Sequence, residues 1–229
     1  MPAAWRTVAS MQARDLVRRR AALLLLVALP MTWYAAEAAA DVGYAIGTGV
    51  LAMSWSAAAA PLFAFVGARH ADQRLVQAGC RPRDIVVGRL LALLAVSSAI
   101  ALLLGIVMVI GSRPERVGDV FLALALTLLV STSVGWLTAA VIPRELEGTL
   151  LLIGIVGLQV SIPVSGVADL VVPYYGPLRL TDYDRTPVGP AGPVVHAVVW
   201  SLLIGLIALV LWRRHVAVRM NAVAPAFVR

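Results

Sequence analysis

The sequence predicts an all-α polytopic membrane protein, with six transmembrane helices and an N-terminal interfacial helix. Three observations favour this fold class: 61% of the 229 residues are hydrophobic, only 14% are charged, and the mean hydropathy is +0.90. A soluble domain is about half apolar and about one quarter charged. Because lipid solvates apolar outer surfaces, one membrane domain accounts for this composition, whereas a soluble fold of this length would leave much apolar surface in water.

Six stretches are long and apolar enough to cross a membrane, which takes about 20 predominantly apolar residues. They are residues 21–40, 46–68, 90–112, 120–142, 149–168 and 194–212. The last five contain no charged residue, and the first contains only Glu37, close to one end. A charge at the centre of a span would oppose insertion by about 2.5–3.5 kcal/mol. We therefore expect residues 21–212 to form one six-helix domain.

The arginines predict the orientation of these spans. With the N-terminus in the cytoplasm, 15 of the 19 arginines lie inside, and only Arg113, Arg116, Arg179 and Arg185 lie outside. Cytoplasmic segments of membrane proteins carry such an excess of basic residues. We expect a multi-pass protein of the cytoplasmic (inner) membrane of a bacterium, with both termini cytoplasmic and residues 213–229 forming a basic tail.

A signal peptide is an open alternative for the first span. Three arginines, an apolar run and the small residues AEAAA at 36–40 resemble a cleavable leader. Cleavage there would leave five spans and an outside N-terminus. The length of the apolar run, with Trp33 and Tyr34 near its outer end, favours a retained span with an aromatic belt.

The residue inventory excludes several kinds of site. All 19 basic residues are arginine, so the chain has no lysine for a P-loop or a Schiff base. Cys80 is the only cysteine, which excludes an intrachain disulfide and a multi-cysteine metal site. His70, His196 and His215 are far apart, and no HExxH motif is present. The chain is therefore not expected to be an ATPase or a helical zinc protease.

Residues 1–20 are predicted to form a cytoplasmic amphipathic helix. Trp5, Val8, Ala9, Ala13 and Leu16 share one side of a helical wheel, and Thr7, Ser10, Arg14 and Arg18 lie opposite. Basic residues on the polar side are typical of a helix lying among lipid headgroups. A frayed basic tail that only enforces topology is the alternative.

The loop at 69–89 is the most informative soluble segment. Leu75 and Val76 indicate a short helix, which Ala78-Gly79 can end because glycine tolerates the left-handed conformation of a C-cap. Pro82 indicates the first turn of a second helix that leads into the third span. A short helix tied to two spans suits a mechanical contact, although an ordinary basic loop has the same composition.

Two further loops have distinct compositions. PRELEGT at 143–149 predicts a tight cytoplasmic turn, with carboxylates that favour the start of the next helix. Residues 169–193 hold five prolines and three tyrosines, and their apolar start fits a re-entrant outer segment as well as an exposed loop. Within the second span, SAAAA at 56–60 permits close approach of another helix or of a second subunit.

The order of these parts resembles the permease family of ABC-2 type exporters over nearly the whole chain. In that family a basic elbow helix precedes six spans, like WRTVASMQARDLVRRR here. A coupling helix lies between spans two and three, where RLVQAGCRPRDIVVGRLLALL is similar. A short acidic turn follows span four, like RELEG, and prolines with re-entrant helices between spans five and six resemble VVPYYGPLRL.

The resemblance implies a half-transporter that forms the substrate pathway and docks a separate ATP-binding subunit. It implies an ATPase interface on the coupling helix at Asp72, Gln73, Leu75, Val76, Arg81, Arg83 and Asp84. A second cytoplasmic contact would use Arg144, Glu145 and Glu147, and the membrane-surface elbow would use Trp5, Arg14, Arg18, Arg19 and Arg20. The chain would hold no cofactor, since ATP and Mg would bind the partner subunit.

The other expected partners are a second permease copy or a paralogue, membrane lipids, and a small-molecule, peptide or lipid cargo; no nucleic acid is expected. Two alternative functions remain. One is a structural or regulatory membrane subunit that transports nothing. The other is an intramembrane enzyme, which the residues favour less: Ser165-Gly166 lacks the first glycine of a rhomboid GxSG motif, since Pro163 stands there.

The arginine asymmetry generates a test of topology. A reporter fused after Arg229 that is active only when exported should stay silent in cells, because six spans return the chain to the cytoplasm. A cytoplasm-active reporter at the same position should be active. The opposite pattern would establish an odd number of spans.

Overall fold

The computed structural model describes residues 4–161, 171–181 and 189–223, which form nine α-helices and no strand. The helices are α1 (Ala4–Arg18), α2 (Arg20–Ala40), α3 (Val42–Gly67), α4 (Arg69–Gln77), α5 (Pro82–Ser112), α6 (Val117–Val141), α7 (Glu145–Ser161), α8 (Tyr175–Thr181) and α9 (Ala191–Val223). The predicted all-α polytopic class is confirmed.

Five of these helices are long and apolar enough to span a membrane: α2, α3, α5, α6 and α9. They coincide with predicted spans one, two, three, four and six. The fifth predicted span, 149–168, falls on the 17 residues of α7, and its last part lies outside the described residues. The count of six therefore stays a prediction.

Two helices are longer than hydropathy predicted. The third span was expected to begin at residue 90, but α5 begins at Pro82 and includes Arg89. The sixth was expected to end at 212, but α9 continues to Val223. Charged residues ended both predicted spans, whereas the backbone stays helical through them because a helix end is set by hydrogen bonding and capping, not by hydropathy.

The helices α3 and α6 form the centre of the bundle, and α2 and α9 lie at its edge with most of their surface exposed. At the central contact, a Cβ added to Gly135 would lie 2.0 Å from the Ala58 carbonyl oxygen. Ala57, Ala58 and Ala60 are buried there. The small residues at 56–60 thus serve packing within the chain, which corrects their use as an argument for a second subunit.

The N-terminal helix α1 packs along the N-terminal part of α5. Val8, Gln12 and Leu16 are buried, so the predicted apolar side faces the protein and includes one glutamine. Gly88 permits the approach, because a Cβ there would lie 2.3 Å from the Trp5 carbonyl oxygen. Arg19 separates α1 from α2, which makes α1 a distinct element, as the elbow prediction requires.

Neutral hydrogen bonds join helices at one end and in the middle of the bundle. The hydroxyls of Tyr34 and Ser112 lie 2.8 Å apart, and those of Tyr174 and Ser131 lie 2.9 Å apart. Ser131 is 14 residues from the start of α6, or about 21 Å at 1.5 Å per residue. Tyr174, just before α8, therefore contacts α6 near its middle. The re-entrant prediction for 169–193, part of which lies outside the described residues, stays a prediction.

The contact at Gly135 predicts a specific intolerance. Gly135→Ala should destabilise the fold by about 1–3 kcal/mol, because its Cβ must displace the backbone of α3. Gly154→Ala is the matched control, since nothing lies within 4 Å of that Cβ position, and it should be neutral or stabilising. Thermal unfolding in detergent measures both; equal melting temperatures would contradict the close contact.

Candidate functional site

The loop between α3 and α5 forms the predicted short helix, α4, with the predicted glycine stop. Gly79 has φ +89°, the left-handed conformation that favours glycine. The Gly79 N–H donates to the Val76 carbonyl at 3.0 Å, and the Cys80 N–H donates to the Leu75 carbonyl at 2.9 Å. These two bonds form a Schellman motif. Pro82 then occupies the first turn of α5, as predicted.

Asp72 of α4 and Arg89 of α5 form a buried ion pair. Their side chains are 2% and 4% exposed, and Arg89 Nη2 donates to Asp72 Oδ1. Arg89 Nη1 donates to the Ala64 carbonyl of α3 at 2.6 Å, and the guanidinium lies over the Phe65 ring, 5.2 Å from its centre. A single planar guanidinium thus connects α4, α5 and α3, which the fork of donors on arginine permits.

Burial raises the pKa of the Asp72 carboxyl from 3.8 to about 6, and the neighbouring Arg89 guanidinium opposes that rise. Removal from water disfavours the charged carboxylate, whereas the adjacent cation favours it. At neutral pH the carboxylate is mostly ionised and pairs with Arg89. One of its oxygens, Oδ2, has no hydrogen-bond partner among the described residues, which is consistent with an incompletely solvated charge.

Arg69, the first residue of α4, contacts the end of another helix. Its Nη2 donates to the carbonyls of Ala139 and Ile142, the latter at 3.5 Å. These carbonyls belong to the last turn and C-cap of α6, where backbone acceptors have no partner within the helix. A cation there also interacts favourably with the helix dipole.

The predicted ATPase contacts divide between exposed and inward positions. Arg81 and Arg83 are exposed, and Asp84 lies 3.9 Å from Arg83. Gln73, Leu75 and Val76 are half-buried, and the last two pack against the core. Asp72 requires correction: its carboxylate lies inside the protein against Arg89, so it cannot contact a docked subunit directly.

The second predicted cytoplasmic contact is exposed at the start of α7. Arg144 Nη1 lies 2.7 Å from Glu147 Oε1, and the side chain of Glu145 is exposed. Both glutamates fall in the first turn of α7, as the sequence predicted. Glu145 approaches Gly67 at the end of α3, so this turn lies beside the α4 region.

The predicted elbow residues lie in α1 and at its junction with α2. The side chains of Arg14, Arg18, Arg19 and Arg20 are exposed, and Trp5 is half-buried beneath the guanidinium of Arg6. Arg19 pairs with Asp15 at 3.1 Å. Because both members of this pair are more than half exposed, it contributes little to stability.

An apolar groove of about 970 Å³, which sequence reasoning missed, lies between α1, α2, α3 and α7. Trp33 and Trp55 meet in it with ring centres 4.7 Å apart, and its charged lining is Asp15, Arg19, Arg89 and Glu145. The buried Ser56 hydroxyl in the groove has no hydrogen-bond partner within the described part of the chain. The only sequence signal was two tryptophans and a serine in the first two spans.

Within the described residues, no group of three or more His, Cys, Asp or Glu side chains could hold a metal ion. Comparison with known proteins gives one positive result. The sequence model of the family described as "ABC-2 type transporter" matches residues 4–167, well over half of the chain. The match includes the elbow, α4 and the start of α7. A search of curated proteins finds no match.

The raised pKa of Asp72 predicts a pH effect. The folded protein binds the proton on the Asp72 carboxyl more tightly than the unfolded chain does. The contribution of this proton to the free energy of unfolding is therefore complete below about pH 3.8 and is lost as pH rises through about 6. Between about pH 5 and about pH 7, wild-type thermal stability in detergent should therefore fall relative to Asp72→Asn, which cannot titrate. Parallel pH profiles of the two proteins would contradict the assignment.

Proposed function

Because this chain belongs to the ABC-2 type transporter family, we propose that it is the permease subunit of an ATP-binding-cassette exporter. Two permease chains, identical or related, would form the pathway for a small-molecule, peptide or lipid cargo, and separate subunits would bind ATP and Mg. The observation that carries the proposal is the family match across a chain whose cytoplasmic surface presents α4 at the junction of two spanning helices.

The sequence indicates that ATP is hydrolysed by a different subunit. A nucleotide-binding P-loop uses a lysine to reach the β- and γ-phosphates, and this chain has none. ATP hydrolysis therefore belongs to a partner. Such a partner must transmit its movement through a cytoplasmic element that is itself attached to membrane helices.

The exposed arginines after α4 are the best-placed docking groups. Arg81 and Arg83 project at the turn into α5, with Asp84 beside them. Charged side chains of this kind form strong hydrogen bonds with complementary groups on a partner. Glu145 and Glu147 extend the same cytoplasmic surface at the start of α7.

The apolar groove is the best candidate for a section of the cargo pathway. Its lining is mostly apolar, its charged residues are few, and it is formed by α2 and α3 together with α7. An apolar cargo and a lipid both suit such a surface. In a dimer, the same face would also lie close to the second permease.

A regulatory subunit without transport is the alternative function. It would bind an ATP-binding subunit without providing a pathway. A gene for such an ATPase beside the gene for this chain, together with cargo-stimulated ATP turnover by the assembled complex, would favour the transporter over the regulatory subunit.

Docking at Arg81 and Arg83 is tested by the double variant Arg81→Gln/Arg83→Gln. Co-purification with the partner ATP-binding subunit should weaken by more than about tenfold, because each charged hydrogen bond contributes about 1.5–3 kcal/mol. Serine at Leu75 or Val76 would be less informative, since both side chains pack against the core.

The matched control is Arg14→Gln/Arg18→Gln, which also removes two exposed cytoplasmic arginines. The control and the test variant therefore carry the same net charge. It should insert normally and retain the ATPase. Equal retention by both double variants would place the docking surface elsewhere, and equal loss would indicate a general charge effect.

A further inference from the structure

The helix α4 is held by a buried charged residue as well as by apolar packing. Of its nine residues, the only one that is fully buried is Asp72. Arg69, Gln73, Leu75 and Val76 are half-buried, with Leu75 and Val76 packed against the core, and the other four residues are exposed. A helix this short has little stability of its own, so its position depends on the contacts that hold it.

Arg69 and Arg89 supply hydrogen bonds that hold α4 in place. Each of them binds the end of a membrane helix. Arg89 donates to the carbonyl of Ala64, in the last turn of α3, while it pairs with Asp72. Arg69 donates to the carbonyls of Ala139 and Ile142 at the end of α6. Each arginine therefore satisfies backbone acceptors that the helix itself leaves unpaired.

The covalent connections of α4 would not fix it to the bundle. Ala68 alone links it to α3, and residues 78–81 link it to α5. No peptide link joins α4 to α6, and the Arg69 side chain supplies hydrogen bonds between the two helices. A force on α4 would pass to α6 directly through this contact and indirectly through α3, which packs against α6.

We propose that Arg69 and Arg89, together with Asp72, form an arginine clamp that makes α4 move with α3, α5 and α6 as one unit. Arg69 and Arg89 are positioning residues in this proposal: they touch neither cargo nor nucleotide. The part of the clamp that concerns ATP-driven movement rests on the proposed function. The attachment of α4 itself does not.

Lysine is a sharp test of the clamp at residue 89. It keeps the positive charge but presents a single ammonium group, which cannot hold Asp72 and the Ala64 carbonyl in the fixed fork geometry of arginine. If only charge were needed, Arg89→Lys would behave as wild type. If the fork is needed, α4 should loosen although the charge is unchanged.

The native Cys80 reports on α4 directly. It is the only cysteine, it is half-buried, and it follows the end of α4. In the purified full-length chain in detergent, the rate of maleimide labelling at Cys80 should rise several-fold in Arg89→Lys and in Arg69→Gln, because local opening exposes the thiol. Arg69→Gln alters a partly exposed side chain, so it should fold even where changes at the buried pair do not.

The matched control is Asp119→Asn, which breaks an Arg116–Asp119 contact of 3.1 Å at the opposite end of the bundle. It should label at the wild-type rate. Wild-type labelling rates in both Arg89→Lys and Arg69→Gln, each confirmed as folded by gel filtration, would overturn the clamp.

A second measurement separates transmission from simple stability. In a Cys80→Ser/Ile110→Cys background, a spin label at the exposed outer part of α5 should change mobility when ATP and vanadate are added to the complex with its ATPase. Arg89→Lys should retain ATPase binding through Arg81 and Arg83 but lose most of this change. A full change in that variant would overturn the clamp. If the spin label shows no change in mobility in the background without Arg89→Lys, the proposed function is wrong. The rate of Cys80 labelling still tests the clamp in that case.

Discussion

A lipid bilayer offers no hydrogen-bond partner to a peptide group, and the architecture of this chain is arranged around that constraint. A helix satisfies its backbone within the segment, which is why the apolar stretches form helices rather than open strands. Three hydroxyl side chains inside the spans are satisfied locally: Thr48, Thr138 and Ser201 each donate to the carbonyl four residues earlier. The unsatisfied groups are therefore concentrated at helix ends, and it is there that the arginines bind.

The buried pair of Asp72 and Arg89 is better explained by geometry than by stability. Removing two charges from water costs about as much as their attraction returns, so such pairs are weak evidence of net stabilisation. Removing one partner nevertheless lowers the stability of the fold, because the other charge stays buried without compensation. An apolar contact could have held α4 as firmly, but it is not directional and would tolerate several positions of the helix. The Arg89 guanidinium, which binds Asp72, the Ala64 carbonyl and the Phe65 ring, fixes a single position.

Hydropathy and turn chemistry predicted the fold class and the Gly79 stop, because these depend on neighbouring residues. The site was less accessible. Asp72 was interpreted as a surface contact and Arg89 as a topology determinant, since the pairing of residues 17 positions apart is a property of the packed bundle. The alanines at 57–60 showed that helices could approach closely but not which helices would. The groove could not be predicted because residues of six helices, α1 to α5 and α7, line it.

Two regions of the bundle are held by different chemistry. Away from α4, Tyr34–Ser112 at the end of α5 and Tyr174–Ser131 near the middle of α6 are neutral hydroxyl pairs. Such bonds contribute about 0.5–1.5 kcal/mol and are readily exchanged for similar ones. Around α4, charged donors bind backbone carbonyls and a carboxylate, and these hydrogen bonds are stronger and more directional. Under the proposed function, α4 would receive force from an ATP-binding subunit, and its rigid attachment would transmit a displacement that the weaker contacts elsewhere in the bundle then permit.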